Sequence, residues 1–332
     1  MTALASRTQT SRTKTSRAGS SGLTTRTATG RTPRPPGAGH VLAPLGVAIL
    51  AAAGVAASYV VFVRTATGQY ADTTAMLGGD VHHQRVVEVL SRTLNGTTLV
   101  SLVLVCLAAA TIGVLRGRID LAIGATVLVL GANASCQLLK THLTRPNLDD
   151  FPAPNSFPSG HTAAAASVAF ALIMVLPAAV RGIVALAGAA YVLVIAVATV
   201  WAEWHRPSDT VAAVLLVLAW AAFAAFGIRL FRRHGGPPAR PSRLTTLLLL
   251  AAAVVAGVAA VLGLISVVMS VRVTPGLVSS RFAFLTGSAG VAAAVAGGFL
   301  IWVWLAAGDR APAAARPAKA GRVARRPKGG KK

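Results

Sequence analysis

Acidic residues are scarce in this chain. Nine Asp and Glu stand against 32 Lys and Arg over 332 residues, and charged residues of both signs make up only 12%. Soluble domains are about a quarter charged, so a fully water-bathed surface is excluded. Cysteine is nearly absent too. Cys106 and Cys136 both fall in apolar runs, where a thiol behaves as a small hydrophobe, and two cysteines build neither a disulfide framework nor a zinc site. The short alternating segments of a transmembrane barrel are also missing. What fills the chain instead is apolar: 54% of it is hydrophobic.

That apolar material is gathered into eight uncharged runs: Val41 to Val63, Thr93 to Leu115, Leu121 to Leu139, Thr162 to Val180, Gly182 to Ala202, Thr210 to Ile228, Leu244 to Val271 and Phe282 to Gly308. About 18 such residues suffice to cross a bilayer as a helix. The expected fold is therefore all-α, a polytopic transmembrane helical bundle. Gly290, Ala294 and Gly298, four residues apart, suit close helix packing in lipid. The first run begins only at Val41, after a long polar stretch, and reads as a span that stays, not as a cleaved signal peptide. Residues 1–40 and 310–332 hold too little apolar surface to fold and read as disordered basic tails.

The charge of +23 sits largely in those tails. It points to anionic membrane lipids as partners, with no nucleic acid implied. If the N-terminus is cytoplasmic, 24 of the 32 Lys and Arg fall on the inner side, as the positive-inside rule asks. Both termini are then cytoplasmic in a multi-pass protein of the cell membrane. Segments 65–92, 140–161, 203–209 and 272–281 face outward. Asp72, Asp80 and Glu88 read as ordinary wet-loop residues, His82 and His83 as solvated, His142 as a loop residue, and Glu203 stays unassigned.

Three segments on that outer side carry chemistry: Lys140 to Pro146 (KTHLTRP), Pro158 to His161 (PSGH) and His205 to Asp209 (HRPSD). Together they resemble the signature of the type 2 phosphatidic acid phosphatase superfamily, integral membrane lipid phosphatases related to vanadium haloperoxidases. The resemblance covers about six spans. It implies a six-span phosphatase core at 41–231, with the two helices in 232–309 as an addition. Two positions depart from the family pattern. Arg145 follows Lys140 after four residues where the family has six, and Thr199 stands where the family has arginine.

Read on their own chemistry, the same residues suit a phosphoryl site, whose transition state calls for clustered cationic donors. Lys140, Arg145 and Arg206 supply charge, and Ser159 and Gly160 precede a helix start that can bind an anion through free N–H groups. His205 and Asp209 are four apart, which on a helix places them on one face, with Pro207 suiting a first turn. A carboxylate on one imidazole nitrogen leaves the other free to attack phosphorus, and His161 is then the general acid. The expected enzyme is a phosphoric monoester or diphosphate hydrolase with no metal and no cofactor, acting on a lipid phosphate through a phosphohistidine. Two alternatives stand beside it. One is an impaired scaffold of the same fold. The other is a transporter, against which the spans carry no Asp, Glu, Lys or Arg at their centres.

Overall fold

The computed structural model describes residues 38–79, 88, 99–231 and 241–307, and every regular element among them is an α-helix. In chain order these are α1 (Ala38–Val63), α2 (Ala66–Leu77), α3 (Leu99–Leu115), α4 (Ile119–His142), α5 (Gly160–Val175), α6 (Ala178–Trp201), α7 (Pro207–Phe231), α8 (Arg243–Arg272) and α9 (Ser280–Ala307). Six of them, α1, α4, α6, α7, α8 and α9, are long and apolar enough to cross a bilayer. The all-α, polytopic bundle expected from the sequence is what is found. Asp80, His82, His83, residues 1–37 and the C-terminal tail lie outside the described residues, and α1 begins at Ala38, inside the stretch read as the first tail.

Two boundaries differ from the sequence reading. The run from Thr162 to Val180 is not one span: α5 stops at Val175 and α6 starts at Ala178. Pro177 lacks an N–H and restricts the residue before it, so the chain turns at Leu176. Arg181, which separates the run ending at Val180 from the run starting at Gly182, is a buried residue of α6. Its guanidinium donates to the carbonyls of Leu176 at 3.0 Å, Met174 at 3.3 Å and Ala306 at 2.7 Å, which are helix-end acceptors with no partner inside their own helix.

Two more arginines at this end of the bundle work the same way. Pro44 lies inside α1 and cannot donate to the carbonyl four residues back. That carbonyl, of His40, instead accepts from Arg229 at 2.9 Å. Arg116 donates to the carbonyl of Val175, the last residue of α5.

α7 is the central helix, packed against α1, α4, α5 and α9. Close approach is built from small residues: a Cβ added at Gly131 on α4 would lie 2.5 Å from the Trp220 ring of α7. The indole Nε1 of Trp220 donates to Ser135 at 3.1 Å, tying the same pair of helices. On α9, Gly298 faces Val214 of α7 while Gly290 faces Ala260 of α8, so the small-residue stripe serves two neighbours. α8 rests chiefly on α9 and leaves Val254, Val258, Val261 and Ile265 exposed, a surface suited to hydrocarbon.

α2 is an element that the long apolar runs do not mark. Thr65 caps it, its hydroxyl accepting the Gly68 N–H at 3.0 Å. With 12 residues it is too short to span a bilayer. It lies against α1, α8 and α9, and its Ala71 and Ala75 form a separate apolar cluster with Val267 of α8 and Ala283 of α9.

Candidate active site

All three motif segments meet at one end of the bundle, opposite the end capped by Arg181 and Arg229. The turn between α6 and α7 delivers His205. α6 ends at Trp201, Glu203 takes φ 60°, and the N–H groups of Trp204 and His205 both reach back to the Thr199 carbonyl, at 3.0 and 3.2 Å. A left-handed residue just past a helix end is the usual way to reverse the chain there.

α7 then starts at Pro207, the first-turn position proline suits. Asp209 sits in that turn and its Oδ2 accepts the Arg206 N–H at 3.0 Å, the reach-back half of a capping box. His205 therefore precedes the helix, and the four-residue spacing brings it to Asp209 through a turn and not along a helical face.

Asp209 is fully buried and collects the site. Its Oδ2 accepts the Ser156 hydroxyl at 2.6 Å and lies 3.5 Å from His205 Nδ1; its Oδ1 accepts Arg145 Nη2 at 3.1 Å. Its backbone carbonyl accepts the Ser159 N–H at 2.9 Å. One residue thus touches all of KTHLTRP, PSGH and HRPSD. The 3.5 Å separation is long for a hydrogen bond, a looseness common in catalytic pairs without substrate.

Ser159 caps α5, its hydroxyl accepting the Thr162 N–H at 3.4 Å. His161 follows in the first turn, its ring centroid 6.3 Å from that of His205 and 5.5 Å from the Trp204 ring. Lys140, in the last turn of α4, holds its Nζ 3.9 Å from where a Cβ on Gly160 would lie. That is an ordinary contact distance, so the ammonium stands beside the helix start, whose free N–H groups can bind an anion.

The two arginines differ. Arg145 spends only Nη2 on Asp209; its Nε and Nη1 are buried and have no protein partner. Arg206 is 2% exposed, which removes it from any role among lipid headgroups. Its Nε donates to Thr73 at 2.8 Å, its Nη2 lies 3.9 Å from Asp149, and its guanidinium stands 5.9 Å from the Phe151 ring centroid. Burial pulls its pKa below the usual arginine value, and the nearby Arg145 adds to this. At Thr199 there is no cation, and the hydroxyl is bonded to Ala196 within its own helix at 2.8 Å.

Four site residues were missed in the sequence. Ser156 bonds Asp209. Gln69, Asp72 and Thr73 come from α2, and all three are buried. Asp72, read as a wet-loop acid, accepts the Ser208 N–H at 3.1 Å and meets the Ser208 hydroxyl at 2.5 Å. Burial, and then the charge of Asp209, push its pKa up to about 7. The overlooked signal was spacing: Gln69, Asp72 and Thr73 fall three and four apart, one face of a helix.

A cavity of about 330 Å³ adjoins the site, lined by Gln69, Arg145, Asn147, Asp149 and Phe151 among others, but by neither His161 nor His205. Residues 121–233 match the PAP2 superfamily. That PAP2 segment contains all three motif segments and agrees with the resemblance drawn from them. It supports a phosphatase-type function in general. α1, α2, α3, α8 and α9 lie outside it. No curated protein and no solved structure matches the chain.

Proposed function

We propose that the protein is a metal-independent membrane phosphatase that hydrolyses a lipid phosphate or diphosphate at the outer face through a phosphohistidine. The observation that carries this is the convergence on Asp209 of Arg145, Ser156 and the His205 ring. His205 attacks phosphorus through Nε2, because Nδ1 faces the carboxylate, which fixes the tautomer and steadies the ring as it gains charge. The phosphorus–oxygen bond to the alcohol breaks as the new nitrogen–phosphorus bond forms, and His161 gives its proton to the departing oxygen. Water, deprotonated by His161, then attacks the phosphohistidine and releases phosphate and free His205.

The unpartnered Nε and Nη1 of Arg145, the Lys140 ammonium and the N–H groups at the start of α5 are the donors for the equatorial oxygens. Orientation rests on charge: the inner side collects 24 of the 32 Lys and Arg. Thr199, neutral and bonded within its helix, favours one rival reading, an impaired scaffold of the same fold. Phosphate release by purified wild type and His205→Ala decides between them. The enzyme reading expects turnover in the wild type only, inhibition by vanadate, and full activity in EDTA. Equal release by the two proteins would overturn it, and activity lost in EDTA but restored by a divalent ion would overturn the metal-free scheme.

A further inference from the structure

The start of α7 is held in part from outside the PAP2 segment. Ser208 lies between Arg206 and Asp209 in the first turn, and both its donors, the backbone N–H and the hydroxyl, are held by Asp72. The N–H at such a position has no partner within its helix and is ordinarily left to a local cap or to water. Here its acceptor lies 136 residues away in the chain and is itself buried. A two-point grip on Ser208 fixes the rotation and depth of the turn that carries Asp209.

The rest of α2 extends the grip. Thr73 accepts from Arg206 at 2.8 Å and donates to Asp149 at 2.5 Å, while Gln69 donates to the Pro146 carbonyl at 2.7 Å and accepts the Leu148 N–H at 3.2 Å. One short helix therefore ties the segment after Arg145 to the segment around His205. α2 in turn has a wall behind it. Ala71 and Ala75 pack on Val267 and Ala283, and α9 comes so close that a Cβ on Gly287 would lie 2.6 Å from Pro207 Cγ and 3.3 Å from Ala75 Cβ.

We propose that Asp72 is a positioning residue of the site: through Ser208 it sets the start of α7, and so the aim of Asp209 and His205, with α8 and α9 as the wall that α2 bears on. The inference rests on the phosphatase reading of the site. Asp72 touches Ser208 and does not meet phosphate. The charged groups around it are Asp209, Arg145 and Arg206. A neutral carboxyl can accept the N–H on one oxygen and share a proton with the hydroxyl on the other. Asparagine reproduces both bonds, its Oδ1 accepting the N–H and its Nδ2 donating to the hydroxyl; alanine reproduces neither.

The test uses the purified full chain and a soluble short-chain phosphate monoester, with His205→Ala as the blank. Asp72→Ala is expected to lower kcat about tenfold or more while KM stays within about threefold, because a misaimed nucleophile weakens the transition state and spares ground-state binding. Asp72→Asn is expected to keep most of the wild-type kcat at pH 6. Should Asp72→Ala fail to fold, Ser208→Ala removes only the hydroxyl contact and is expected to show the same kcat-only loss.

Wild-type kcat in the alanine variant, an asparagine variant as slow as alanine, or a loss confined to KM would each overturn the proposal. Amide exchange across residues 204–210 gives a readout independent of turnover, expected to rise in Asp72→Ala and to stay unchanged in Asp72→Asn. If the wild type is no more active than His205→Ala, the phosphatase reading has failed. Exchange then still decides whether Asp72 holds the turn.

Discussion

At the scale of single residues, two arginines of the same charge hold different positions. Arg145 keeps two buried donors free, whereas Arg206 has its fork turned to Thr73 and Asp149. Lysine keeps the charge and loses the fork, so Arg145→Lys is expected to lower kcat/KM by about tenfold or more and Arg206→Lys by less. Equal losses would assign phosphate to both. Asp72 makes a prediction in pH. Its folded pKa is raised from 3.8 to about 7, so between those values the folded chain holds a proton that the unfolded chain has released, and stability falls as pH rises. The thermal midpoint of the wild type in detergent should drop relative to that of Asp72→Asn as pH goes from about 4 to about 7, and then run parallel. A constant difference across that window would contradict the assignment.

At the scale of elements, the turn between α6 and α7 does the work of bringing His205 to Asp209, and Glu203 is its strained residue, exposed and at φ 60°. Glycine takes that conformation without a Cβ clash, so Glu203→Gly is expected to raise stability by up to about 1 kcal/mol with kcat unchanged, read by thermal unfolding and turnover. His161, His205 and Asp209 were legible in the sequence because their spacing is carried by short local segments. The way they meet was not, since a four-residue offset fits both a helical face and a capping turn. The long apolar runs were legible for the same local reason. α2 was not: a 12-residue helix of mixed polarity between spans looks like a loop until its partners on α7 and α9 are known. Arg181 and Arg229 showed as charge, but the carbonyls of Ala306, for Arg181, and of His40 and Leu305, for Arg229, are remote in sequence.

At the scale of the whole molecule, the two ends of the bundle differ in kind. One gathers His161, His205 and Asp209, and the other gathers guanidinium groups on helix-end carbonyls. α4 runs between them over 24 residues, about 36 Å, so reporters inserted at residues 117 and 150 should report opposite sides, with 150 outside. Finding 150 in the cytoplasm would reverse the proposed access of substrate. The close seat of α9 against Pro207 and Ala75 also bears on the order in which the chain is made. Every motif residue has been synthesised by Asp209, yet the helix that backs α2 ends only at Ala307. On the proposed mechanism, a nascent chain therefore carries His205, His161 and Arg145 well before the last helix arrives to brace the turn that holds them. If the proposed bracing by α9 holds, competence for chemistry comes only with the completion of insertion, and a half-made chain holds its histidines without yet having a site.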